Sequence, residues 1–261
     1  MKGRSRISPL PLVLGALLAV AALAFGSGSG TPAKDGARVG TRPTASSPSP
    51  SPTPAAPKLP SCGTADRLAP NAAYDQWRTT LLDTLHRLPP GYVPPDLVST
   101  ATVGFGSRFE IRKLAIGNLA ALATAAEAAG HPLALVAGYR SFEQQRELLK
   151  LREKQLAPDA AKRVARPGHS EHQLGTAVDF TSKGMADVNQ QWGSSATGRW
   201  VAQNAWRYGF VLSYPKGRIA VTCYPYEPWH FRYVGPKLAA RVHASGLTLR
   251  EYLWRFAVEQ P

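Results

Sequence analysis

Pro167-Gly-His-Ser-Glu-His-Gln-Leu-Gly-Thr-Ala-Val-Asp179 is the stretch on which the reading of this chain turns. It runs into Ala177-Val178-Asp179-Phe180, an apolar strand pattern with one acid inside it. A carboxylate buried there is costly unless it is paired or metal-bound. His172 is too far from Asp179 to share one helical turn, but a loop through Gly175 could turn both side chains inward. A second cluster, Glu227-Pro-Trp-His230, would add a donor from a distant strand. Two His and one carboxylate, with a fourth position open, form the donor set of a catalytic zinc. Glu227, three residues before His230 and stiffened by Pro228, then has the reach of a general base without being a ligand. Either cluster alone also fits an ordinary loop histidine. His86, His131 and His243 have that reading, on expected helix faces or ends, and His169 is not assigned to the metal.

Outward from this stretch, Leu133-Ala-Leu-Val-Ala137 reads as a buried strand that delivers Gly138-Tyr139-Arg140-Ser141 at its end. Ser141 with Gln144 forms a capping box, predicting a helix over about 142–155. A longer helix is expected between about Phe109 and Ala129, with Ile111, Leu114, Asn118, Leu122 and Ala125 on one stripe and Gly130 as its cap. Tyr74, Trp77, Leu81, Leu85 and Leu88 recur at helical spacing before Pro89-Pro90-Gly91, predicting a first amphipathic helix. Strands are expected at 175–180, 210–214, 219–223 and 229–233, with helices near 198–208, 236–244 and 248–256. Helices first and antiparallel-length strands later make an α+β pattern.

The 261 residues carry a formal charge of +14 and only two cysteines, which excludes a disulfide-dense mini-protein and a Cys-ligated zinc ribbon. Lys2, Arg4 and Arg6 precede an apolar run from Ile7 to Phe25, closing on the small-x-small pattern Ala22-Leu23-Ala24. Residues 1–25 therefore read as an export signal, either cleaved or kept as a membrane anchor. Residues 26–60, rich in Gly, Ser and Pro, cannot bury a core and read as an extended linker. The folded domain is expected over 61–261. Export places Cys62 and Cys223 where disulfides persist, so they are expected to pair. The first 60 residues hold seven basic and one acidic side chain, so +6 of the +14 belongs to signal and linker. The remaining +8 comes with no aromatic-interleaved basic strand or recognition helix, and nucleic acid is not an expected partner.

Three spaced motifs, Gly138-Tyr-Arg-Ser-x-x-x-Gln145, Ser170-x-His-x-x-Gly-x-Ala-x-Asp179 and Glu227-x-Trp-His230, resemble in order those of the D-alanyl-D-alanine carboxypeptidases of the vancomycin-resistance type, VanY-like zinc peptidases of the LAS group. The flanks Asn204-Ala-Trp-Arg-Tyr-Gly-Phe-Val-Leu-Ser-Tyr-Pro215 and Phe231-Arg-Tyr-Val-Gly235 agree. The similarity covers roughly residues 89–256. It implies an α+β LAS/hedgehog-type metallopeptidase fold, in which a small, mostly antiparallel sheet packed against helices carries the zinc site. It implies one Zn²⁺ held by His172, Asp179 and His230, with Glu227 taking a proton from water and passing it to the leaving amine. Arg140 would stabilise the scissile carbonyl or hold a substrate carboxylate, while Ser170 and Gln145 would line the substrate site. The activity implied is an exported, monomeric D,D-carboxypeptidase trimming D-Ala from peptidoglycan stem peptides, at the cell surface or secreted. L,D-carboxypeptidase or endopeptidase action in the same group, and a non-catalytic wall-binding protein, are the alternatives. Intact Glu227 opposes the last.

Overall fold

The computed structural model of the chain describes residues 58–106, 108–156 and 164–259. The expected signal and the linker up to position 57 lie outside these residues. Among the described residues no helix is long and apolar enough to cross a membrane.

In chain order the strands are β1 (Arg67–Leu68), β2 (His86–Arg87), β3 (Leu97–Ser99), β4 (Glu110–Arg112), β5 (Leu133–Ala137), β6 (Ala177–Ser182), β7 (Phe210–Leu212) and β8 (His230–Tyr233). The helices are α1 (Lys113–Ala128), α2 (Phe142–Leu156), α3 (Ala196–Asn204), the single turn α4 (Ile219–Thr222), α5 (Pro236–Ser245) and α6 (Leu249–Glu259). The main sheet is four-stranded and wholly antiparallel, in the order β5-β6-β8-β7.

Period-two alternation gives this sheet two different faces. Val178 and Phe180 of β6, Phe231 and Tyr233 of β8, and Phe210 of β7 join the main core with Ala115, Leu119, Leu122 and Ala126 of α1. Asp179, His230 and Arg232 take the intervening positions and point the other way. The α1 stripe is thus shifted by one residue from the expected set at all but Leu122. Residues 110–112, expected in that helix, form β4 instead, so Ile111 is buried from a strand. Gly130 ends the helix with φ +79, as expected. The capping box of α2 also forms: Gln144 N donates to Ser141 Oγ at 3.2 Å and Ser141 N to Gln144 Oε1 at 2.8 Å.

Two expected elements are absent. Residues 74–88 form turns and the short β2 rather than a helix. Their apolar side chains do not share one face: Trp77 enters the main core, Leu81 a cluster with α5 and α6, and Leu88 a third cluster with Tyr92 and Leu174. Asp83 also competes locally for the backbone, its carboxylate accepting from the N–H groups of Leu85 and His86, each at 2.8 Å. Residues 219–222 form α4 rather than a strand, because Thr222 N and Oγ1 both return to Arg218 O.

Polar clamps hold the start of the described chain. Cys62 and Cys223 are joined by a disulfide, Arg166 binds Ala65 O, Thr84 O and Asp66, and His169 bridges Asp83 O and Asp66. Arg250 reaches Asp83 at 2.7 Å, Val221 O at 2.8 Å and Pro60 O at 3.1 Å. Burial alone would raise the Asp83 carboxyl, but His86 and Arg250 outweigh it and hold it well below the usual carboxylate range.

The disulfide closes a loop of 161 residues, for which chain entropy allows about 5 kcal/mol as an upper value. A Cys62→Ala/Cys223→Ala variant should lose about 2–5 kcal/mol in denaturant unfolding, and unreduced denatured protein should show no reactive thiol. A depressed acid contributes stability above its unfolded pKa of about 3.9 and loses it as pH falls through the lower folded value. Asp83→Asn, which strands the buried Arg250, should therefore cost about 3 kcal/mol at pH 7. In thermal melts its deficit should shrink as pH falls below about 4.

Candidate metal centre

Asp179 sits on β6 directly opposite His230 on β8, and opposite Ala137 at the end of β5. Directly opposed residues of an antiparallel pair share a face with their Cβ atoms about 5 Å apart. His172 arrives from a short 3₁₀ turn, Glu171–Leu174, which Ser170 opens by accepting the His172 N–H and Gly175 closes at φ +70. One ligand atom from each of His172, Asp179 and His230 lies within 4.8 Å of the others, and all three residues are buried. His172 Nε2 lies 3.4 Å and His230 Nδ1 3.1 Å from Asp179 Oδ1. The other nitrogen of His172, Nδ1, is 2.7 Å from Gly138 O, so its inward face is Nε2. Gly138 can present that carbonyl only without a side chain, since a Cβ there would meet Glu110 O at 2.5 Å.

The electrostatics suit a cation. Burial lowers the His172 pKa and keeps the ring neutral, the form that ligates. Burial would raise Asp179, but His172 and His230 outweigh it and keep the carboxylate ionised. Burial opposes charge on His230 too, yet its bonds to Asp179 and Glu171 raise it to about 10, so the two acids hold between them a proton that a bound cation would displace. Two imidazoles and one carboxylate converging on a point form a donor set that fits Zn²⁺.

Glu227 stands at the rim. The Tyr214 carbonyl accepts its N–H at 3.1 Å, and its own carbonyl accepts the His230 N–H at 3.1 Å. Its Oε2 is 3.9 Å from His230 Nδ1, and its side chain is 19% exposed against 5% for His230, so it faces the metal site from the open side. Burial pushes Glu227 up to about 8, a value that His230, Arg140 and any cation at the site oppose. Arg140 completes the group. Its N–H donates to His172 O at 3.3 Å, its Nη1 donates to Gln145 Oε1 at 2.8 Å, and the charges of Asp179 and Glu227 act on its guanidinium.

The matching family is described as VanY: D-alanyl-D-alanine carboxypeptidase, over residues 108–236. Two solved structures are similar over about two thirds of the chain. The LdcB LD-carboxypeptidase is 38% identical, with a TM-score of 0.61 and coverage of 67% of this chain and 85% of that one. The vancomycin-resistance D,D-pentapeptidase VanY, a mutant form in complex with Zn(II), is 31% identical, with a TM-score of 0.58 and coverage of 68% and 99%. The chain belongs to the VanY family. A D-alanyl-D-alanine carboxypeptidase of Enterococcus faecalis (strain ATCC 700802 / V583) is 34% identical over 188 residues, 68% of this chain and 66% of that protein. The VanY-family chain spans just under two thirds of the length of the curated relatives it matches first.

The structure of this VanY-family protein brings His172, Asp179, His230, Glu227 and Arg140 into one site. Gln145 is buried, its Oε1 on Arg140 and its Nε2 on Ala165 O at 2.6 Å, so the contacts it makes are with the arginine and a loop. Ser170 is buried as the cap of the His172 turn. His169 stays away from the metal centre, on Asp66 and Asp83. Glu171, which sequence reading passed over, is also buried. It bonds His230, Ser213 and Arg232, and those bonds outweigh its burial and bring it down to about 2.

Elemental analysis of purified protein should find one zinc per chain. His172→Ala should lose nearly all of it while keeping the wild-type circular dichroism. Full zinc content in that variant would remove His172 from the ligand set.

Proposed function

We propose that this chain is a zinc-dependent D,D-carboxypeptidase that hydrolyses the terminal D-Ala-D-Ala bond of peptidoglycan stem peptides. The observation that carries the reading is Glu227 Oε2, 3.9 Å from His230 Nδ1 on the open side of the His172, Asp179 and His230 cluster. His172, Asp179 and His230 would hold zinc, which would supply a Lewis acid to polarise a carbonyl and acidify water. Glu227 takes the proton of the attacking water and later delivers it to the D-alanine nitrogen as the C–N bond breaks. Arg140 is always charged and is fixed by Gln145, so it stabilises the oxyanion or holds the terminal carboxylate. Ser170 and Gln145, expected to line the substrate site, act from behind it, Ser170 by capping the His172 turn and Gln145 by holding Arg140. The enzyme acts outside the cytoplasm as a monomer, with residues 1–25 as export signal or anchor, 26–60 as tether and 61–261 as the catalytic domain. Its excess positive charge draws it to anionic wall polymer.

Similarity to LdcB supports a second reading, L,D-carboxypeptidase action by the same groups. Mass spectrometry of products from a pentapeptide stem ending in D-Ala-D-Ala, beside the matching tetrapeptide, separates the two. Release of one D-alanine from the pentapeptide alone supports the first; release from the tetrapeptide alone supports the second. Chelator should abolish either. Glu227→Gln should keep zinc and lose activity by about 10²–10⁴-fold, and wild-type turnover in that variant would remove Glu227 from the mechanism.

A further inference from the structure

The two histidines of the metal centre present opposite nitrogens. His172 turns Nε2 towards Asp179 because Gly138 O occupies its Nδ1. His230 turns Nδ1 towards Asp179, and its Nε2 lies 3.0 Å from Glu171 Oε2. Chain geometry favours this difference. His230 is paired directly across the sheet from Asp179, so the nitrogen nearer its backbone reaches the shared centre.

We propose that Glu171 is a positioning residue, whose carboxylate fixes the His230 ring and tautomer so that Nδ1 carries the lone pair facing Asp179 and the metal. This rests on the reading of His172, Asp179 and His230 as ligands. Glu171 is 4% exposed and cannot swing away. Its Oε2 also accepts from Ser213 Oγ at 2.6 Å, and its Oε1 accepts from Arg232 Nη1 at 3.0 Å. Arg232 is itself fully buried, its Nη2 donating to Trp77 O at 2.8 Å and Thr80 O at 2.7 Å. A carboxylate anchored on two sides accepts and does not donate, so Nε2 carries a hydrogen towards Glu171, and the bond of Nδ1 to Asp179 is the one that a bound metal would replace. The rings of Tyr214 and His172, with centroids 4.8 and 4.9 Å from that of His230, hold the plane but select neither nitrogen. The strand pairing brings Nδ1 to the centre, and Glu171 keeps the hydrogen on Nε2.

Glu171→Gln keeps the shape but replaces one acceptor by a donor, which must meet either Arg232 or His230. Zinc affinity, measured by competition with a chromophoric chelator, should weaken about 10–100-fold, as for other outer partners of metal-bound histidines. Proton–nitrogen spectra of ¹⁵N-histidine-labelled, zinc-loaded protein should show His230 carrying its proton on Nε2 in the wild type, with that pattern altered or broadened in the variant. Ser213→Ala removes one anchor without stranding a charge and should weaken zinc roughly 2–10-fold. Wild-type affinity and an unchanged His230 pattern in both variants overturn the proposal. If Glu171→Gln does not fold, Ser213→Ala decides alone, and unchanged affinity there overturns it. His172→Ala distinguishes the underlying reading: zinc retained by that variant overturns the ligand set and the proposal together. Zinc lost there but kept by the Glu171 and Ser213 variants overturns the proposal only.

Discussion

The structure depends on one buried carboxylate. Asp179 lies in a strand whose neighbours Val178 and Phe180 fill the core, and such a charge persists in low dielectric only with close positive or metallic partners. Its partners come from two different directions, His230 across the strand ladder and His172 from the turn before the strand. A one-residue slip of β6 against β8 would exchange the two faces, sending Asp179 into the core and Phe180 into the site. The packing that stabilises the domain and the chemistry that the site allows are therefore fixed by the same register.

The constraint spreads outward through polar links. His230 leads to Glu171, Glu171 to Arg232, and Arg232 to the carbonyls of Trp77 and Thr80 in the irregular N-terminal segment. That segment has almost no ladder bonds of its own. It is held by side chains from later in the chain, notably Arg166, His169 and Arg250. Residues 58–92 are thus a belt tied to the main sheet, held by ion pairs and side-chain-to-backbone bonds as well as by apolar contacts.

The sheet and the converging groups were legible because their signals are local. An acid inside an apolar run, a glycine before it, and an acid three residues before a histidine each keep their meaning without knowledge of the rest of the chain. The helix expected over residues 74–88 failed because three-and-four spacing records only that Trp77, Leu81 and Leu88 are buried, and each is buried in a different cluster. The strand expected at 219–223 failed to a short-range competition, the return of Thr222 to Arg218. Glu171 was within reach of the argument that found Asp179. Arg232 lies between Phe231 and Tyr233 in an equally apolar strand, and a buried guanidinium demands an acid as surely as a buried carboxylate demands a cation.

The bond between Cys62 and Cys223 has a mechanical meaning. Cys62 lies close to where the described chain begins, and Cys223 lies four residues before Glu227. Tension applied from the N-terminal side would cross that covalent link before it reached the 161-residue loop. The loop, with most of the sheet inside it, is shielded from being unzipped strand by strand. The load arrives instead on the turn leading to Glu227, so a pull on the chain before Cys62 is felt first beside the metal centre.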